Sequence, residues 1–552
     1  MKIQKLIQDL RRRVSSVLGC GGQPMDPAVK RLIAFNRSKW PQNHPTDERS
    51  VVLVGLYPWS ESIFCYSYAA NHLARATRAS IRSFLFKGSR RRAGLEEIYE
   101  SFGARFDLGI DSGKQHQNQA AAVAEEIFRG LRTKADVVRI SIEGVPLGDH
   151  IYDFYLRQFA EATIDLRDER LRQTIFEAAL IFFTAKEYLA THRVKALLPD
   201  HLLYLNCGIL TRLASTSGIP VYQMIFGPDF YLIPIEFDDG GTDGKFHSLG
   251  RPYPRYRELF SQLTPIEQQQ ARASARQSLT DRLSGKLDSN VMLGITAYED
   301  AGSRSVLSDS GKPRVLVLLH EFNDAPHIFR KMLFADFYEW ICFLLERAEK
   351  TPFQWYLKPH PDFDDPSRKA INDLNRRVVD ELRERFPKIV FLPSSVSNRQ
   401  IVSEGIASMF TVHGTAAHEF AYLGVPVVNA GDNPHITYSF NFHPRSIKEY
   451  ESYIERAGDL SISIDRSEIE EFIYMNYFYI RDQYRFSANP LDSDLAKSPD
   501  YYQRCLKPAI FDEFMARMTP ENDREIARCF DQFLIKHQTG HPALRAAPDS
   551  QR

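Results

Sequence analysis

Three short segments in the second half of the chain carry residue types suited to holding a phosphorylated ligand. Trp355-Tyr356-Leu357 reads as a strand that ends in Lys358-Pro359-His360-Pro361. A lysine there is a point charge for phosphate and a histidine a hydrogen-bond donor, while two prolines stiffen the loop. Taken alone, the same loop could be a solvent-exposed turn. Pro393-Ser394-Ser395 closes a second strand and offers two hydroxyls. Met409 to Val412 reads as a third strand, ending in His413-Gly414-Thr415-Ala416-Ala417-His418-Glu419. Small residues between that strand and a helix over 417–423 leave backbone amides for an anion. Thr415 can cap the helix or bind phosphate. Glu419, one turn in, can accept from ribose or sugar hydroxyls, or can act only as a favourable charge on the helix dipole. In an open parallel sheet the ligand crevice lies beyond the carboxyl ends of the strands, so three such ends in succession outweigh any one motif.

The surrounding pattern supplies such a sheet twice. In the first half, strands are predicted over 51–56, 81–86, 137–142, 194–198 and 221–225, alternating with helices over 62–76, 120–131 and 166–192. In the second half, strands at 314–319, 353–357, 389–392, 408–412 and 425–429 alternate with helices over 333–348, 368–386 and 397–404. Alternation of this kind implies parallel sheets with helices on both faces. Residues 21–50 read as a polar connection. Residues 238–312 form a turn-rich, then helix-prone excursion between the halves, and an aromatic helical tail begins at 465. The expected division is therefore 1–50, 51–237, 238–312, 313–464 and 465–552.

Bulk composition narrows the classes. The 552 residues allow two to four domains at about 150 residues each. With 43% hydrophobic and 25% charged residues the chain is an ordinary globular one. Lys+Arg 70 balances Asp+Glu 70, so no global field favours nucleic acid and any anion site is local. No apolar run reaches the roughly 18–20 residues of a membrane span, and the start lacks the apolar stretch of a signal peptide. Six scattered cysteines without a CxxC pair are then expected to be reduced thiols in a cytoplasm. Residues 1–18 form a basic amphipathic helix. It suits either peripheral contact with the inner face of the cytoplasmic membrane or packing on the protein's own surface.

The runs HEFNDAPHIF, KMLFADFYEW, WYLKPHP, LPSS and VHGTAAHEFAYLGVPVVNAG resemble bacterial capsule and surface-polysaccharide biosynthesis proteins. These are GT-B glycosyltransferases, distantly similar to Kdo transferases, polysialyltransferases and teichoic-acid polyol-phosphate polymerases. The resemblance covers residues 313–450 well and extends more weakly through LYPWSE, GVPLGDHIYD and 204–215. It implies an α/β GT-B fold: two Rossmann-like domains with parallel sheets facing an interdomain cleft. It also implies transfer of a sugar from a nucleotide-sugar donor to a growing glycan or lipid-linked glycan, with no separate cofactor. Lys358, His360, Ser394, Ser395, His413, Gly414, Thr415 and Glu419 would line the donor site, with His360 also near the chemistry. A sugar-nucleotide 2-epimerase of similar architecture and a non-catalytic scaffold of an assembly complex are the alternatives.

Transfer with inversion needs a group in the first half to accept the hydroxyl proton. Asp149, Glu143 and His150 in the loop after the 137–142 strand are candidates, as is Asp229. Asp149 leads because Gly144 and Gly148 leave the loop open to a ligand, although it could equally cap the helix that follows. His201 and Tyr204 are candidates for the acceptor side or ordinary loop and core residues. His320, Asp324 and His327 are expected to line the cleft, ahead of a structural role and of metal ligation. Asp238-Asp239 resembles a DxD pair only superficially, and no metal site is expected.

Overall fold

Strand β1 (Ser50–Val54) is buried along its whole length, as a parallel strand covered on both faces must be. Its alternate side chains enter different cores, Val52 and Val54 on one face and Val51 and Leu53 on the other. β2 (Ser80–Leu85), β3 (Ala104–Gly109) and β6 (Arg193–Leu198) complete a four-stranded parallel sheet in the order β3-β2-β1-β6. Between them, β4 (Ser141–Ile142) and β5 (Val145–Pro146) form a small antiparallel hairpin. β7 (Tyr222–Ile225) and β8 (Tyr231–Pro234) form another, tied to β6 by a bridge from Leu197 to Val221.

The second half repeats the plan. β9 (Arg314–Leu318), β10 (Gln354–Lys358), β11 (Val390–Phe391), β12 (Ser408–Thr411) and β13 (Val427–Asn429) pair in parallel in the order β11-β10-β9-β12-β13. The chain begins in the middle, moves outward through β10 and β11, then crosses to β12. The strand order reverses between β9 and β12, which is where such sheets open a crevice. The two Rossmann-like halves of the expected α/β class are thus present. The computed structural model describes residues 25–40, 50–56, 60–85, 93–109, 114–199, 201–225, 231–235, 253–285, 295–298, 305–329, 331–364, 369–484 and 507–538. The basic helix at 1–18, Asp229, the Asp238-Asp239 pair and the end at 540–552 lie outside the described residues. No helix among the described residues is long and apolar enough to cross a membrane.

Several local expectations are corrected. The strand over 137–142 is instead a short helix, Lys134–Val138, followed by the β4–β5 hairpin. Thr133 and Asp136 form a reciprocal capping box that starts a helical turn despite the two valines. Helix Pro27–Lys39 occupies the stretch read as a connection, begun by the Asp26 cap and a proline at its first position. Helix Ala93–Ser101 and β3 were not anticipated. The strand at 221–225 pairs antiparallel with β8 rather than continuing the parallel sheet.

The halves meet along helix Gly148–Phe159 on one side and the segment from β9 to helix Phe337–Ala348 on the other. Fully buried Asp336 caps the latter helix by accepting from Glu339 N at 2.7 Å, and it also accepts from the hydroxyls of Tyr152 (2.6 Å) and Thr163. Lys134 pairs with Glu339 at 2.8 Å, and Arg157 with Asp324 at 3.1 Å. Asp153 pairs with His327 at 2.6 Å. The polar helix Pro265–Leu283 lies against helix Arg466–Ile473, with Arg276 bonded to Glu470 and Arg272 to Glu471. Past a π-helical stretch at Tyr474–Tyr479 the chain returns to the first half, where Ile480 joins its core.

Helices Pro508–Arg517 and Pro520–Gln538 then cover one face of the first sheet. Phe514 packs on Phe64 and Phe530 stacks on His72 with ring centres 4.6 Å apart. Phe530→Ala is expected to destabilise the first half by about 3–5 kcal/mol, the cost of emptying a buried aromatic site. The measurement is a urea midpoint earlier than that of the wild type.

Candidate functional site

At the carboxyl ends of β9, β10 and β12 lies an open pocket, within which about 640 Å³ of space, part of it open solvent, is free of protein atoms. Lys358 and His360 reach it from the end of β10, His320 from the end of β9, and Thr411, Gly414 and Thr415 from the end of β12. His320 ties two of these strands together, since its Nε2 lies 3.0 Å from Thr411 Oγ1 and accepts from Val412 N at 3.2 Å. Accepting an amide hydrogen requires that nitrogen to be unprotonated. Burial agrees, pushing His320 well below the ordinary histidine value. Its ring stacks on Phe337, the first residue of the helix that Asp336 caps.

Lys358 is 1% exposed and donates to Asn398 Oδ1 at 3.0 Å. Burial pulls its pKa down to about 8, with nearby Glu419 opposing. Glu419 is also buried, and both of its oxygens are engaged. Arg282 Nε donates to Oε1, and the Tyr298 hydroxyl donates to Oε2 at 2.6 Å. Burial alone would raise the Glu419 pKa, but Arg282, His418 and Tyr298 outweigh it and hold the carboxyl below its usual range. Tyr298 is hydrogen-bonded to Asn398 in turn. A continuous network, Lys358–Asn398–Tyr298–Glu419–Arg282, therefore forms one wall. Its two cations and one anion leave a positive excess suited to an anionic ligand, while remaining lone pairs of Glu419 can accept from ligand hydroxyls.

Of the residues expected to line a donor site, Lys358, His360, Gly414, Thr415 and Glu419 come together. Ser394 and Ser395 follow the edge strand β11 and are not among the pocket-lining residues. Asn398, at the start of the next helix, takes the place they were expected to hold. The His413 ring packs among His320, Phe329 and Phe337, and burial lowers its pKa to about 4. The helix after β12 has seven residues, and Thr415, which lines the pocket, makes no side-chain cap bond to it.

Arg282, Tyr298, Asn398 and Thr411 escaped the sequence reading. Arg282 belongs to the buried stripe Ala271, Ala275, Ser278, Leu279 and Arg282 of a helix that is otherwise polar. Helical spacing of small residues around a single arginine was the available signal.

Among the candidate bases, Asp149 is neither a helix cap nor a free carboxylate. Leu147 holds the cap position, and Arg212 grips both oxygens of Asp149, with one contact at 2.7 Å. Burial raises its pKa, but Arg212 and His150 outweigh this and hold it far below the usual range, which makes Asp149 a poor proton acceptor. Gly148 does not open a loop. A Cβ there would lie 2.1 Å from the Val137 carbonyl oxygen, so glycine allows two helices to touch. Glu143 and Gly144, both at positive φ, form the two-residue turn of the β4–β5 hairpin, and Glu143 pairs with Lys186. The His150 ring lies against Gly208. His201 accepts from Leu203 N and stacks on Tyr204, which opens a π-helix over Tyr204–Gly208. His320, Asp324 and His327 each have a separate partner, namely Thr411, Arg157 and Asp153.

Removal of Arg282 leaves Glu419 buried without its cation. Arg282→Ala is expected to cost about 3–5 kcal/mol at neutral pH. Because the folded Glu419 pKa is depressed, the contribution of the pair is present above the unfolded value of about 4.3 and is lost as pH falls through the folded value. The difference between variant and wild type, followed by denaturant unfolding, should narrow below about pH 4.

No protein family matches the chain, and no curated protein matches it. Its structural neighbours among solved proteins include glycosyltransferases and an epimerase. KpsC of Thermosulfurimonas dismutans, a β-Kdo 2,4 transferase, is 12% identical over 51% of this chain and 80% of its own, with a TM-score of 0.32. HepE of Anabaena, in complex with UDP and glucose, is 10% identical over 79% of this chain and 96% of its own, at 0.22. The UDP-GlcNAc 2-epimerase of Methanocaldococcus jannaschii is 11% identical over 83% and 99%, at 0.18.

Proposed function

We propose that the chain transfers a sugar from a nucleotide-sugar donor to a growing capsule-type or lipopolysaccharide-type glycan. The observation that carries this reading is the cationic pocket at the strand-order reversal of the second sheet, where buried Lys358 and Arg282 share one wall with Glu419. The donor phosphate would sit against Lys358 and His360, which offset the charge that grows on it as the sugar departs. Thr415 adds a hydroxyl, and Glu419 accepts from hydroxyls of the ribose or the sugar. The first half would present the acceptor across the seam, so that hydroxyl and anomeric carbon are aligned and water is excluded.

Nucleotide binding is the direct test. CMP, UDP, GDP and CDP are screened by thermal shift, since a ligand at 100 times its dissociation constant stabilises by about 2.7 kcal/mol. Lys358→Ala and His360→Ala are expected to abolish the shift and the transfer while the protein stays folded. Wild-type behaviour in both would overturn the reading. Wild-type affinity should weaken as pH rises through about 8, where Lys358 loses its proton. Conversion of UDP-N-acetylhexosamine to its 2-epimer without acceptor would replace transfer by epimerisation.

Metal independence belongs to the same proposal. The positive charge that a divalent ion would bring to the phosphate is already supplied by side chains. Transfer is therefore expected to persist in excess EDTA. Complete loss, restored by Mg²⁺ or Mn²⁺, would count against it.

A further inference from the structure

Among the described residues at the seam between the halves, three buried imidazole nitrogens have no hydrogen-bond partner: Nε2 of His150, of His327 and of His413. Only His327 carries a carboxylate on its opposite nitrogen. Its Nδ1 lies 2.6 Å from Asp153 Oδ1, and its backbone N donates to Asp153 Oδ2 at 3.3 Å. The carboxylate therefore holds the residue at two points, one on the ring and one on the backbone. It keeps the ring hydrogen on Nδ1 and leaves a lone pair on Nε2 when the ring is neutral. A base oriented by a third group in this way is the arrangement that activates a hydroxyl in hydrolytic enzymes.

The dyad is not part of the pocket lining, but a short run of contacts links it to the pocket wall. Pro326, next to His327 in the chain, is hydrogen-bonded through its backbone to the His413 ring. His413 directly precedes Gly414, which lines the pocket. Asp153 comes from the first half and His327 from the second, so the pair joins the two halves that would hold acceptor and donor. Of the other candidate carboxylates, Asp149 is committed to Arg212 and Glu143 to Lys186, and Asp229 lies outside the described residues. A buried ring nitrogen left unanswered is destabilising, so a ligand hydroxyl arriving there is favoured.

We propose that His327, oriented by Asp153, is the general base for the acceptor hydroxyl. The inference rests on the glycosyl-transfer reading above. In the step, the hydroxyl gives its proton to His327 Nε2 while its oxygen forms a bond to the anomeric carbon. The bond from that carbon to the donor phosphate oxygen breaks, and its electron pair leaves on the phosphate. The imidazolium so formed stays against Asp153. Burial lowers the His327 pKa, but Asp153, with Asp149 and Asp336 behind it, outweighs this, and the net shift is upward. The other groups around the ring are Tyr152, packed at 4.8 Å, and the imidazoles of His150 and His413, while Arg212 and Lys134 offset Asp149 and Asp336. Only neutral His327 accepts a proton. Turnover should therefore rise with pH through a value above that of an ordinary histidine.

The test uses the full chain and two conservative variants, His327→Gln and Asp153→Asn. Affinity for CMP, UDP and GDP is measured by calorimetry. Turnover is measured as release of these nucleotides from CMP-, UDP- and GDP-sugars, in water alone and with added capsule oligosaccharide. Nucleotide affinity is expected to be unchanged in both variants. His327→Gln should lose roughly 10²–10⁴-fold in turnover, the usual contribution of a positioned base. Asp153→Asn should lose turnover and also move the acidic limb of the pH profile to lower pH, because the charge that raises His327 is gone. A pair that only fastens the halves would alter stability and leave that limb in place. Wild-type turnover in His327→Gln, or an unmoved limb in Asp153→Asn, overturns the dyad while nucleotide binding keeps the transfer reading intact. If His327→Gln does not fold, the limb in Asp153→Asn decides alone. Absence of both binding and nucleotide release in the wild type defeats the transfer reading first, and the dyad with it.

Discussion

The relation between the two halves depends on one buried carboxylate. Asp336 is 0% exposed and lies at the start of a helix in the second half, where it must satisfy its own first turn. Its remaining capacity is filled by hydroxyls of Tyr152 and Thr163 from the first half, with Lys134 4.0 Å away. A buried charge without such partners is strongly unfavourable. The oxygen that the cap does not use is therefore satisfied out of water only when the first half is docked in this position. The segment from His320 to Asp336 runs from the floor of the pocket to that cap, so docking and pocket geometry share one stretch of chain.

The pocket itself is an exercise in balancing charge out of water. Lys358 at a strand end is a common way to present a cation, yet here it is almost wholly buried. Glu419 keeps the buried cations Lys358 and Arg282 from standing alone, and Tyr298 and Asn398 complete the hydrogen bonding. Two of the five members lie outside the second sheet and its helices, in the segment that joins the halves. That segment is part of the site's wall, although its composition suggests a spacer.

Much of the fold was legible because parallel strands buried on both faces leave a plain mark. Val51 to Val54 and Val315 to Leu318 are uninterrupted apolar runs, and both are central strands. The carboxyl ends of such strands fix where loops converge, so Lys358, His360, Thr415 and Glu419 could be gathered without coordinates. Less visible were features decided by neighbours. Val137 and Val138 favour a strand, but a capping box of two side chains overrides them. Ser394 follows a strand end just as Lys358 does, and only the strand order shows that β11 stands one position away from the crevice. The ion pair of Asp149 with Arg212 joins residues 63 apart, and that of Glu419 with Arg282 joins residues 137 apart. No local spacing records either.

The helices at 508–517 and 520–538 have a consequence for how the molecule comes into being. They fill one face of a sheet whose first strand begins at Ser50. A ribosome delivers the chain from its amino end, so the second sheet is complete in sequence before the first has its covering layer. During that interval Phe64, Tyr68 and His72 have no Phe514 or Phe530 to rest on. The half that starts first finishes last. Until it does, an apolar face waits in solvent, open to chaperones and to premature association in a way the finished protein is not.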